Sequence, residues 1–69
     1  MDKEQKAEQI VNEIFNNFPK LKDLDMEERL KTRQQLIMQA KEGLIDKTGE
    51  SDWNVTEVYK SLELKIKDN

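Results

Sequence analysis

The 69 residues include neither Cys nor His, which removes thiol chemistry, imidazole bases, acyl-transfer triads and zinc sites built from those ligands. Carboxylates remain. Glu27 and Glu28, or Asp46, Glu50 and Asp52, have the oxygen ligands a hard cation takes. The second group departs from the EF-hand pattern, and its residues are better read as loop solvation and helix-end charge. Only two glycines are present, and no Gly-rich phosphate loop. The expectation is a protein without catalytic residues, cofactor or metal.

Cations offer the other chemistry. Arg29 and Arg33 stand one helical turn apart, with Lys22, Lys31 and Lys41 close in sequence and Gln34, Gln35 and Gln39 among them. One reading is a solvated face supported by i to i+4 pairs worth tenths of a kcal/mol. A sharper reading starts from Met26, Leu30, Arg33, Ile37, Ala40 and Leu44, whose spacing lines one side of a helix and sets an arginine inside the seam. A guanidinium buried there needs a carboxylate, because an unpaired buried charge costs several kcal/mol. Glu13 or an acidic group on a second molecule can supply one. The candidate protein-contact residues are therefore Arg29, Leu30, Arg33, Ile37 and Tyr59. Tyr and Trp are enriched at interfaces, but for Trp53 the favoured place is a staple at a helix start.

These residues need helices to position them. Ala7, Ile10, Val11, Ile14, Phe15 and Phe18 recur at one-face spacing, predicting a helix over about 2–18 that Pro19 ends. Leu21 and Leu24 sit in a short connector and are expected under the turn. Asp25 with Glu28 three residues later has capping-box spacing, so a second helix is predicted over 26–47, with Leu36 and Ile45 widening its stripe. Its end is open between Gly43 and a longer helix capped at Gly49; the longer form is preferred because Leu44 and Ile45 continue the stripe. Asn54 and Glu57 repeat the capping box, and Trp53 before it can staple onto Val58. Val55, Val58, Tyr59, Leu62 and Ile66 then predict a third helix over 55–67. Leu62, Leu64 and Ile66 also alternate as in a strand, but nothing upstream alternates as a partner strand would.

The pattern predicts an all-α chain in one domain, 1–69, arranged as a small three-helix antiparallel bundle. Leu, Ile, Val and Phe make up 17 of 69 residues, enough to fold but with a small core. Small scaffolds add disulfides, a metal or oligomerisation; without Cys and His, completion by self-association or by a partner is expected. No apolar run reaches the roughly 18 residues a membrane span needs, and Met-Asp-Lys-Glu-Gln-Lys has no signal-peptide core, so a cytoplasmic protein with no membrane partner is expected. Asn54-Val55-Thr56 matches a glycosylation acceptor but carries little weight without a secretion signal. A net charge of −3 disfavours nonspecific nucleic-acid binding.

The leading expectation is a non-enzymatic protein-binding regulator, inhibitor, adaptor or immunity-type protein, of the kind bacteria and phages carry. The alternatives are a nucleic-acid-binding regulator that uses Lys60, Lys65 and Lys67 of the third helix, and a structural homo-oligomer. Glu57 and Glu63 on that helix, and its lack of arginine, weigh against nucleic acid.

Overall fold

The computed structural model describes residues 2–45 and 53–68, and these form four helices and no strand. Helix α1 (Lys3–Asn17) opens on Asp2, whose carboxylate accepts the Gln5 N–H at 2.8 Å and satisfies a donor the helix itself leaves unpaired. It stops at Phe18, which precedes Pro19 and adopts extended backbone as a residue before proline must.

Pro19 begins a single helical turn, α2 (Pro19–Lys22), that the connector reading missed. Proline at the first helical position costs no hydrogen bond, because the N–H it lacks would be an orphan there anyway. The turn buries Leu21 and half-buries Leu24, as expected of that segment.

Helix α3 (Met26–Gly43) starts where the capping box predicts, with the Asp25 carboxylate accepting the Glu28 N–H at 2.8 Å. Its end corrects the preferred longer helix. Leu44 is extended (φ −74°, ψ 133°) and turns its side chain into the core, so the stripe continues through a buried cap residue and not through further helix. Ile45 then lies exposed. The proposed cap at Gly49, and with it Asp46, Glu50 and Asp52, falls outside the described residues.

Helix α4 (Val55–Asp68) carries Leu62, Leu64 and Ile66 in regular helix, which removes the strand alternative for 61–67. Leu62 and Ile66 are buried, while Leu64 points out.

The core is a single apolar cluster. Ala7, Ile10, Val11 and Ile14 come from α1, Leu21 from α2, Leu36, Ala40 and Leu44 from the third helix and its cap, and Val58, Leu62 and Ile66 from α4. Phe15, Phe18, Leu24, Ile37, Trp53, Val55 and Tyr59 pack around it, and no described polar or charged side chain is buried inside. At Gly43 two helices come close. A Cβ there would lie 3.3 Å from Val58 Cγ2, so a residue read as a possible helix terminator is the place where α4 crosses the end of α3.

Candidate protein-contact surface

The seam that carried the sequence argument is turned from where it was expected. At 100° per residue, Leu36, Ala40 and Leu44 fall within about a quarter of the circumference of α3 and form its inner stripe. Met26 and Leu30 were expected in that stripe and lie outside it, 79% and 54% exposed. Met26 projects toward the inner side but stands in the first turns of α3, where every residue from Asp25 to Lys31 is exposed. Leu30 points further round, between the core and the outer face.

The five candidate contact residues separate into two groups. Arg29 is committed to the fold: its Nη2 donates to the Lys22 carbonyl at 2.9 Å and to the Leu24 carbonyl at 3.4 Å, tying α3 to the turn before it. Tyr59 is committed too, since it packs half-buried on the core and its hydroxyl accepts from the Asn17 amide, joining α4 to α1.

The other three come together. Leu30, Arg33 and Ile37 line one groove with Gln34, Met38 and Lys41 of α3 and with Glu4 and Glu8 of α1. The groove encloses about 480 Å³. Its apolar floor is Leu30, the half-buried Ile37 and Met38, which is 62% exposed. Charge lies on both sides, with acids on the α1 wall and Arg33 and Lys41 on α3.

Arg33 is half-buried, and among the described residues no carboxylate pairs with it. Its Nη1 donates to the Asn12 side-chain oxygen, a neutral acceptor one helical turn from the rest of the groove wall. Glu13, named as the partner, turns away and lines a shallow cleft with Val55, Thr56, Tyr59, Lys60 and Glu63. A guanidinium that keeps access to water does not need a full countercharge.

No family model, curated protein or solved structure matches the chain. Function must therefore be read from this surface and from where the remaining candidates lie.

The expected structural caps are placed unequally. Asp25 caps α3 as described. Asn54 holds the N-cap position of α4, with its carbonyl accepting the Val58 N–H at 3.1 Å. Its carboxamide, however, turns to α3 in place of the expected reciprocal bond with Glu57: Oδ1 accepts the Ile45 N–H at 2.7 Å, and Nδ2 donates to the Gly43 carbonyl at 2.9 Å. Trp53 packs half-buried on the core, and its indole N–H is buried without an acceptor among the described residues.

The lysines of the nucleic-acid alternative do not all share one face of α4. Lys60 stands over the cleft with Glu13 and Glu63, whereas Lys65 lines the opposite side of α4 beside Gln39 of α3. Among the described residues no three carboxylates gather at metal-binding distance, and no helix is long and apolar enough to cross a membrane.

Sequence reasoning missed Met38, Glu4 and Glu8. Met38 was legible: with Leu30 and Ile37 it gives α3 a second apolar stripe about 100° round from the first. The acids were not, because only the packing of α1 on α3 brings residues so far apart in sequence to one rim.

Proposed function

We propose that the chain is a small non-enzymatic protein-interaction module, a regulator, inhibitor or adaptor that binds through the outer face of α3. Its body is read as a three-helix antiparallel bundle with α2 as a one-turn brace. The pairing of Asn12 with Arg33 and the crossing of Gly43 by Val58 support that layout. One observation carries the functional reading: Leu30 and Met38, 54% and 62% exposed, line one charge-rimmed groove with Ile37, about two turns apart on a helix whose other apolar stripe already fills the core. Single exposed apolar residues are ordinary on protein surfaces; a contiguous apolar floor with a polar rim is the anatomy of a contact site.

Affinity capture with the intact chain tests this. The wild type and a Leu64→Glu variant, altered at an equally exposed leucine on α4, are expected to retain the same protein, whereas Leu30→Glu loses it. Equal retention by all three rules out this face.

A further inference from the structure

We propose that the occupant of the α3 groove is a second copy of this chain, with α3 lying antiparallel on its own counterpart about a two-fold axis at Gln34. This inference rests on the contact-surface reading above and names its partner.

The charge order along the exposed stripe carries it. Glu27, Leu30, Gln34, Ile37 and Lys41 follow one another at spacings of three and four, the seam of a helix pair. The acid stands at one end, the base at the other, an amide in the middle and an aliphatic residue on each side of it. Turned end for end, this order is its own complement. With Gln34 on the axis, Leu30 meets the partner's Ile37 and Met38, and Glu27 meets the partner's Lys41, each contact occurring twice as a two-fold interface requires. A parallel pair would set Glu27 against Glu27 and Lys41 against Lys41, so like charges oppose that alternative. The stripe spans roughly 21 Å at 1.5 Å per residue, long enough for five layers.

The groove's own partners leave these groups available. Glu27 makes only a loose pair with Lys31, at 3.6 Å with both side chains more than 70% exposed, and such a pair yields readily to a closer one. Arg33 is held aside by Asn12, which keeps its charge off the apolar floor. A chain of 69 residues with no Cys or His also lacks the staples with which small domains supplement a thin core, and the second copy supplies the missing burial.

Sedimentation equilibrium of the full chain over about 1–200 µM decides the matter, with far-UV circular dichroism confirming that each variant stays helical. The wild type is expected to pass from monomer to dimer in this range. Leu30→Glu, which places a charge in both apolar layers, raises the dissociation constant at least about 100-fold. Lys41→Glu raises it about tenfold, and the double variant Glu27→Lys with Lys41→Glu returns it to within about threefold of wild type.

Gln34→Cys adds a geometric readout, because the chain has no other thiol. Mild oxidation links two copies across the axis in the wild-type background and not in the Leu30→Glu background. A wild type that stays monomeric throughout, a dimer indifferent to Leu30→Glu, or a charge reversal that the double variant fails to rescue overturns the proposal. If the chain is monomeric yet captures another protein through Leu30, the second copy falls and the contact surface stands. If it is monomeric and capture ignores Leu30, both fall.

Discussion

Asn54 stands where an N-cap belongs, yet its side chain reaches back eleven positions to Gly43 and closes the end of α3. A helix leaves its last carbonyls without partners, and here a residue from the next helix supplies the donor. This ranks two substitutions differently from a capping role. Asp is as good an N-cap as Asn, but it has no Nδ2 donor and would set a carboxylate against the Gly43 carbonyl. Asn54→Asp is therefore expected to destabilise at least as much as Asn54→Ala, by about 1–2 kcal/mol, read as urea midpoints at constant slope. If Asp is tolerated and Ala is not, the residue is an ordinary cap. Arg29 is a similar case: a cation that reads as free in sequence is bonded to the carbonyls of Lys22 and Leu24. Arg29→Ala is expected to lower stability by about 0.5–1 kcal/mol and to leave association unchanged by sedimentation.

Helix α3 is apolar on two sides, and the two stripes have different work. The inner one fills the core; the outer one exposes Leu30 and Met38 to solvent. Leu36→Ala removes a buried side chain and is expected to cost about 2–4 kcal/mol, whereas Leu30→Ala, at a site already 54% exposed, is expected to cost less than about 1 kcal/mol in dilute solution. Equal losses at the two sites would mean that Leu30 is core. At the other end of the helix, a Cβ at Gly43 would lie 3.3 Å from Val58 Cγ2, so any side chain there presses on α4. Gly43→Leu is expected to cost about 1–3 kcal/mol through overpacking, even though leucine is the better helix former; a thermal midpoint at or above the wild type would show that α4 can move aside. Helix existence was legible at this scale because periodicity and caps are local: α1 and α4 fall within two residues of their predicted bounds, and α3 starts where Asp25 places it. The end of α3 was not legible, because Leu44 continues the apolar stripe equally well as helix or as an extended cap.

For the molecule as a whole, size sets the margin. About 0.05–0.15 kcal/mol per residue is usual for a native protein, which for 69 residues comes to about 3–10 kcal/mol. Association stabilises by mass action, so the melting temperature is expected to rise with protein concentration in the wild type and to stay flat in Leu30→Glu; a flat wild-type profile would argue against self-association. The amino-acid order alone determined that the chain is helical, where its three long helices begin to within a residue, that α1 presents Ala7, Ile10, Val11 and Ile14 to a core, and that no thiol or imidazole chemistry is open to it. Those properties depend on residues within a turn or two of each other. Only the tertiary structure decided which apolar side of α3 turns inward, that Arg29 and Tyr59 serve the fold, that Arg33 takes Asn12 in place of Glu13, and that Glu4 and Glu8 complete the rim around Leu30 and Met38. A stripe and its neighbour a quarter-turn away look alike in sequence, and their fates separate only when another helix covers one of them.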